Sequence, residues 1–292
     1  MGTGVKRRTL ILLAVLLPAM AWGQRQDLLS RSELVLGGGG MFYIGDLNNQ
    51  SALSIPQGAG TLGWKVRLDN RWALRLQGSY GRVSSGDKDC IELRNLRFRS
   101  DLLEVGLLGE FNFAAFGNGP KERPWTPYIF GGVALFHYNP MAPVTEADGT
   151  VRWVALQPLG TEGQYTSAYP DRKPYRLTQL CIPFGVGVKW RLGKHFSLTA
   201  EYGFRKTWTD YLDDVSTTYV GSAALHSGTN DGALAALLAD RSGEVVDGFV
   251  NAPGIKRGDD SLDDMYSYFN VSIGISLETM FGWMRSKRCK NK

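Results

Sequence analysis

The chain has 292 residues, of which 43% are hydrophobic and 21% are charged, and this balance excludes a disordered tail and a coiled coil. Its 33 lysines and arginines against 28 acidic residues give a formal net charge of +5, but the basic excess lies at the two chain ends, which argues against a nucleic-acid-binding domain. Three cysteines without zinc-ligand spacing exclude a disulfide framework and indicate no metal cofactor.

The N-terminal residues 1–23 have the pattern of a secretory signal peptide. Basic residues at 6–8 precede an apolar run over 9–17, and small residues come just before a cleavage site at Gln24. This run is too short to span a bilayer as a helix, and no later stretch reaches the roughly 18 apolar residues that a membrane helix needs. We therefore expect an exported protein that enters a membrane, if at all, as a β-barrel.

Eight segments of the mature chain have the strand-like pattern that a β-barrel requires. They are residues 33–45, 62–68, 72–83, 103–113, 127–139, 182–192, 196–204 and 269–277. Seven alternate clearly between apolar and polar residues, whereas the alternation in 127–139 is ambiguous. Most of the segments are about nine residues or longer, which is the length that a tilted strand needs to cross a bilayer.

A soluble β-sandwich would alternate in the same way, so the connections and the aromatic residues decide between the two folds. Trp64, Trp72, Trp190 and Tyr202 lie near segment ends, as in the aromatic girdles of outer-membrane barrels. Short connections at 69–71 and 193–194 and a moderate Gly/Pro-rich linker at 114–126 alternate with a larger set at 46–57, 84–100, 140–176 and 208–265. We predict an all-β fold: an eight-stranded antiparallel transmembrane β-barrel with long extracellular loops and both termini in the periplasm.

Nine charged residues occupy positions that would face the barrel interior. They are Lys65, Arg67, Arg75, Glu104, Glu110, Lys189, Arg191, Glu201 and Arg205. An eight-stranded barrel is just wide enough inside for side chains, so opposite charges there can pair and fill it. We predict a lumen charge network that excludes a pore, and the alternative is a proton path along the same residues.

Two groups of side chains are candidates for chemistry. His195 and Ser197 fall on one strand face, a spacing that a lipid-modifying barrel enzyme could use, although no orienting carboxylate is evident. Asp210, Asp213 and Asp214 could hold calcium, although their spacing is not that of an EF-hand. The residues favour a protein that is not an enzyme and has no catalytic residues and no cofactor.

The chain ends in a basic segment after the last predicted strand. Its cations are Arg285, Lys287, Arg288, Lys290 and Lys292. Such a run is either a solvated tail or a periplasmic docking peptide for an acidic partner or anionic headgroups. The domain prediction is therefore a signal peptide over 1–23, an outer-membrane β-barrel over 24–278 and a basic periplasmic tail over 279–292.

Five stretches have a more specific pattern. They read RNLRFRSD at 94–101, PYIFGGV at 127–133, LQPLGTEG at 156–163, PFGVGVK at 183–189 and RKTWTDYLDDVSTTY at 205–219. These stretches resemble the PorG-like family of Bacteroidota outer-membrane proteins. The resemblance implies a component of the type IX secretion machinery that contacts a periplasmic ring of PorK- and PorN-like proteins. It brings no catalytic residues.

The functional expectation is a non-enzymatic outer-membrane barrel that is an accessory or anchoring component of type IX secretion. In that family the machinery exports cargo proteases and, in gliding species, adhesins. Expected partners are outer-membrane lipid, the periplasmic ring, and translocon or surface proteins at the outer loops. The alternatives are a surface-loop adhesin or structural barrel unrelated to secretion and a lipid-modifying barrel enzyme.

Overall fold

A computed structural model describes residues 25–47, 56–87, 93–117, 119–228 and 231–278. The predicted signal peptide and the predicted basic tail, with Arg285, Lys287, Arg288, Lys290 and Lys292, lie outside the described residues. Within the described ranges, no helix is both long enough and apolar enough to cross a membrane.

The described residues form nine strands and three short helices. The strands are β1 Ser32–Ile44, β2 Gln57–Arg67, β3 Trp72–Gly86, β4 Arg97–Asn112, β5 Trp125–Thr145, β6 Val151–Ala155, β7 Thr178–Leu192, β8 Phe196–Lys206 and β9 Met265–Ser276. The helices are α1 Arg25–Ser30, α2 Ser222–Gly228 and α3 Gly232–Ala239, and short 3-10 turns cover Gln157–Leu159 and Ser242–Glu244.

Eight of these strands close into an antiparallel barrel. Each pairs with its neighbour in chain order, β5 pairs with β7, and β1 pairs with β9 to complete the ring. β6 lies outside the ring and pairs only with the far end of β5, from Met141 to Thr145. The predicted eight-stranded barrel is confirmed, and the soluble sandwich is wrong because there is one closed sheet and not two facing sheets.

Each predicted segment coincides with one strand of the ring, including the ambiguous segment 127–139. That segment belongs to β5, which is the longest strand at 21 residues. Gly131 and Gly132 sit at its centre, where they replace apolar side chains and blur the alternation. Beyond the ring, β5 continues into a hairpin with β6, which is not among the eight predicted segments.

The barrel is apolar outside and polar over much of its interior, the reverse of a soluble protein. Along β7, Leu180, Ile182, Phe184 and Val186 are 40–59% exposed, whereas Lys189 on the opposite face is buried. The outward side chains of the eight strands together form a band that we call the apolar belt. The ends of the barrel are called the turn end, where the short connections lie, and the loop end.

Two apolar clusters lie inside the molecule, both toward the loop end. The first fills the upper part of the barrel with side chains such as Met41, Phe98, Phe136 and Tyr266. The second lies within the long loops and joins the 3-10 turn at Gln157–Leu159 to α2 and α3. The loops at this end therefore form a packed cap, which has its own core and covers the barrel mouth.

Candidate functional site: a sealed lumen between two rims

The lumen at the turn end is organised around one carboxylate. Glu33 at the start of β1 pairs with Lys65 on β2 at 2.8 Å and with Arg191 on β7 at 2.9 Å. The Ser197 hydroxyl donates to Glu33 Oε2, the oxygen that also contacts Lys65, at 3.1 Å. Alternation from Leu34 puts Glu33 on the inward face, although Glu33 is not among the predicted lumen residues.

The middle of the lumen contains a second, larger network. Glu110 pairs with Lys189 at 2.5 Å and with Arg75 at 3.2 Å, and Arg75 also pairs with Glu201 at 2.9 Å. The Tyr128 hydroxyl donates to Glu201 at 2.5 Å, and the Lys189 ammonium lies 4.0 Å from the centre of the Tyr128 ring. These side chains come from five different strands, so the network ties opposite walls of the barrel together.

A third layer closes the lumen toward the loop end. Arg205 on β8 pairs with Glu104 on β4 at 3.1 Å, and the Tyr266 hydroxyl donates to the same Glu104 oxygen at 2.7 Å. The aromatic cluster lies directly beyond this layer. Cys181, an inward residue of β7, is buried against Tyr266.

The structure thus brings eight of the nine predicted lumen residues into ion pairs. They are Lys65, Arg75, Glu104, Glu110, Lys189, Arg191, Glu201 and Arg205. Arg67 instead lies half-buried at the turn end, where it donates to the Ser30 carbonyl at 3.4 Å. Buried charges persist when each has a partner, so the three layers form a fixed filling of the lumen.

The cap at the loop end depends on another buried carboxylate, Glu162, in the loop between β6 and β7. Glu162 pairs with Arg257 at 2.9 Å and accepts hydrogen bonds from the backbone amides of Ser216 and Thr217 at 3.0 Å each. Arg257 also donates to the Ala239 carbonyl at 3.1 Å. Since these partners belong to the loop between β8 and β9, Glu162 fastens the two longest described loops to each other.

Two of the three aspartates suggested as calcium ligands accept hydrogen bonds from tyrosines. Asp213 accepts from the Tyr43 hydroxyl at 2.6 Å, and Asp214 accepts from the Tyr175 hydroxyl at 2.6 Å. Burial raises the pKa of Asp210 from 3.8 to about 8, which keeps a proton on a group that would have to be ionised to bind a cation. In the described part of the chain, no group of three potential ligand side chains could hold a metal. The structure therefore corrects the calcium suggestion.

These buried aspartates predict that the cap loosens as the pH rises. Burial raises the pKa of Asp214 from 3.8 to about 6 and that of Asp210 to about 8. Between pH 4 and pH 8 the folded cap binds protons that the unfolded loop releases, so its stability is highest in acid and declines as the pH rises. We expect proteolysis within residues 207–264 to be faster at pH 9 than at pH 5.

A matched pair of variants checks the cause of this pH dependence. Asp210→Asn removes a titrating group, and we expect it to flatten the dependence of cleavage on pH. Asp148→Asn, at an exposed turn between β5 and β6, should leave the dependence unchanged because Asp148 is an exposed group whose pKa is lowered. Equal cleavage rates of the parent at both pH values would contradict the assignment.

The geometry around Ser197 does not favour the lipid-modifying enzyme. Ser197 is completely buried in the lumen, and its hydroxyl is engaged by Glu33, a carboxylate already paired with Lys65 and Arg191. A nucleophilic serine needs a base that accepts its proton and an open approach for substrate. His195 lies in the exposed turn between β7 and β8.

Ser197→Ala is therefore expected to leave membrane lipid composition unchanged. It should lower barrel stability by about 1.5–3 kcal/mol, because a single hydrogen bond to a charged group is lost. Lipid analysis by mass spectrometry and denaturant unfolding of the purified barrel measure the two effects. An altered acylation pattern in the variant would restore the enzyme hypothesis.

The rim at the turn end is compact and predominantly basic. Asp69 fixes the turn between β2 and β3 by accepting from the backbone amides of Arg71 and Trp72 at 2.6 and 2.7 Å. The linker between β4 and β5 is anchored to this turn by the Phe116 amide, which donates to the Asn70 carbonyl at 3.0 Å. The cations of this rim are Arg31, Arg67, Arg71, Lys121, Arg123 and Lys194, and its acids are Asp69, Glu122 and Glu278.

Comparison with known proteins gives a family match and several structural similarities. Residues 8–151 match a family described as "Domain of unknown function (DUF6089)". No protein of curated function matches the sequence.

Three solved barrels illustrate the structural similarities. Ail, the attachment invasion locus protein of Yersinia pestis, is 9% identical, with 84% of this chain and 96% of that chain covered and a TM-score of 0.37. Neisserial surface protein A is 9% identical, with 85% and 97% covered and a TM-score of 0.38. The outer membrane protein OprG of Pseudomonas aeruginosa is 11% identical, with 84% and 96% covered and a TM-score of 0.36.

Proposed function

We propose that this protein is a non-enzymatic barrel of the outer membrane that serves as an anchoring component of the type IX secretion machinery. Its turn end faces the periplasm and binds a ring of PorK- and PorN-like proteins. Its loop end faces outward, toward translocon or surface proteins. The observation that carries the proposal is the combination of a lumen filled with ion pairs and an apolar exterior, which leaves only the two rims for function.

The apolar belt supports the membrane location. From Leu180 to Trp190 the outward residues of β7 are all apolar. At about 3.3 Å per residue and a tilt of about 40°, this stretch rises about 25 Å, the height of the apolar band in outer-membrane barrels. Trp190, Trp72 and Trp125 lie at the turn-end edge of the belt, where interfacial aromatic residues are expected.

The charge of the turn-end rim supports an acidic partner. Among the side chains that the structure describes, its cations outnumber its acids, and the predicted basic tail, which follows Glu278 in the sequence, contains five more cations. A positive surface of this kind attracts a negatively charged protein and accelerates its association. Together with the resemblance of residues 205–219 to the PorG-like family, the charge favours a periplasmic ring protein as that partner.

The test combines a deletion with a charge reversal. We expect deletion of residues 279–292, and the separate double variant Lys121→Glu with Arg123→Glu, to lower secretion of a type IX cargo protease. Crosslinking from outer membranes, with the affinity tag in an outer loop, should recover ring proteins with the parent and fewer with either variant. Arg152→Glu at the loop end is the control and should secrete normally. Heat-modifiable migration in gels shows that each barrel is folded.

A surface-loop adhesin is the second candidate, and one observation favours it. The loop between β8 and β9 exposes a group of large apolar side chains, among them Val245, Val250, Ile255 and Leu262. Exposed apolar groups of this kind commonly mark interaction sites.

If the protein is an adhesin, Val245→Ser with Val250→Ser should abolish adhesion and leave secretion normal. If secretion is normal in both the tail deletion and the charge reversal, the anchoring role is wrong and the adhesin is favoured.

A further inference from the structure

A groove of about 720 Å³ opens on the side of the barrel at the loop end. It lies between the start of β7 and the loop between β8 and β9. The five lining residues that matter are Leu135, Leu180, Trp208, Lys173 and Arg176. The lumen network and the turn-end rim contribute nothing to it, so the proposed anchoring role leaves this groove unexplained.

The lower half of the groove belongs to the apolar belt. Leu135 on β5 and Leu180 on β7 are paired across the two strands and are 55% and 58% exposed. The next outward pair toward the loop end is His137 with Thr178, so the belt ends at this level. Trp208, just after β8, is 55% exposed beside it. An exposed indole at the edge of an apolar belt is typical of the membrane–water interface.

The upper half of the groove is basic. Lys173 and Arg176 are both exposed, and neither forms an ion pair with another residue of the described ranges. Two acids line the same groove. Asp263 is already paired with Lys206 at 2.8 Å, and burial raises the pKa of Asp210 to about 8, so that Asp210 is protonated at neutral pH. The groove therefore offers two available cations directly above two lipid-facing leucines.

The wall behind these residues is preorganised. Tyr138 and Tyr175 stack with ring centres 6.3 Å apart, and Tyr175 and Tyr211 stack at 4.6 Å. The Tyr175 hydroxyl donates to Asp214, which fixes the stack to the cap. Since the wall is already fixed, a ligand that enters the groove has little ordering of the protein to induce.

We propose that this groove binds one acylated lipid of the outer leaflet through its phosphate headgroup. Acyl chains lie against Leu135 and Leu180, the phosphate lies between Lys173 and Arg176, and the Trp208 indole marks the boundary between them. The inference rests on the outer-membrane location within the proposed function but not on the role in secretion.

The test measures lipid binding by native mass spectrometry of the full-length protein in detergent. Diphosphoryl lipid A is the probe, and lipid A without phosphate is the comparison. We expect Lys173→Gln with Arg176→Gln to weaken binding of the diphosphoryl form about tenfold or more, since each cation near a lipid phosphate strengthens binding several-fold. The matched control, Lys121→Gln with Arg123→Gln, removes the same charge at the turn end and should bind like the parent.

Three outcomes would overturn the proposal. The first is equal binding by the parent and the Lys173/Arg176 variant, and the second is an equal loss in the control. The third is displacement of the lipid by 10 mM inorganic phosphate, which would assign the groove to a free anion. Heat-modifiable migration and cargo secretion are measured on the same variant, and both should be normal. The two proposals fail on different measurements. Unchanged lipid binding by the Lys173/Arg176 variant overturns this inference, whereas normal secretion by the tail deletion and the charge reversal overturns the anchoring role.

Discussion

Glu110→Ala is expected to destabilise the barrel by about 3–5 kcal/mol, the largest effect of any single lumen substitution. The reason is that Lys189 and Arg75 both pair with Glu110, and removal of the carboxylate leaves uncompensated positive charge in a buried site. Arg75 retains Glu201, whereas Lys189 retains only neutral groups, the Asn112 oxygen at 2.9 Å and the Tyr128 ring at 4.0 Å. Denaturant unfolding in lipid vesicles, followed by tryptophan fluorescence, measures the loss.

Two further variants separate charge from packing. Glu110→Leu with Lys189→Met removes the pair as a unit and should be more stable than Glu110→Ala, because no unpaired charge remains. Asp101→Ala removes the exposed partner of Arg82 on the outer face and should cost at most about 1 kcal/mol. If Glu110→Ala costs no more than Asp101→Ala, the network does not hold the lumen together.

Glu162→Ala is expected to release the cap while the barrel stays folded. The substitution leaves Arg257 buried without its closest carboxylate and frees the backbone amides of Ser216 and Thr217. Loss of about 3 kcal/mol from a local contact raises the open population of the loop roughly 100-fold. Protease cleavage between β8 and β9 should accelerate by that factor, and the heat-modifiable migration of the barrel should not change.

The control for this variant lies in the same outer region. Glu146→Ala removes an exposed ion pair with Arg152 and should alter the cleavage rate less than fivefold. Cleavage within the barrel strands, or loss of heat-modifiable migration in Glu162→Ala, would show that the cap and the barrel unfold together.

The barrel was predictable because alternation along a strand is a local property of sequence. In β7, Val188 and Trp190 face outward and Lys189 faces inward. The alternation of apolar and polar residues that locates the strand therefore also assigns its charged residue to the lumen. The predicted inward charges on β2, β3, β4, β7 and β8 follow from this rule. Arg67 departs from it because it lies at the last residue of β2, where the lumen opens into the turn-end rim.

The cap was not predictable by the same reasoning. Glu162 and Arg257 are 95 positions apart and lie in irregular loops, where no periodicity assigns a face to a side chain. Asp213 and Asp214 were recognised as a cluster, but whether carboxylates bind a cation or accept protein hydrogen bonds depends on donors from distant segments such as Tyr43 and Tyr175. The β5–β6 hairpin was missed because β6 has only five residues.

The closure of the ring between β1 and β9 has a consequence for biogenesis. The two strands pair continuously from Glu33 to Ile44, and at Gly39 any larger residue would overlap the Phe269 carbonyl. β9, which is synthesised after the seven other strands of the ring, thus completes the seam with β1. Before β9 is in place, the edges of the open sheet have unpaired backbone groups, which are costly in hydrocarbon and promote association with other chains in water. Ring closure must therefore wait for β9, and exposure of these edges is the step of assembly most prone to aggregation.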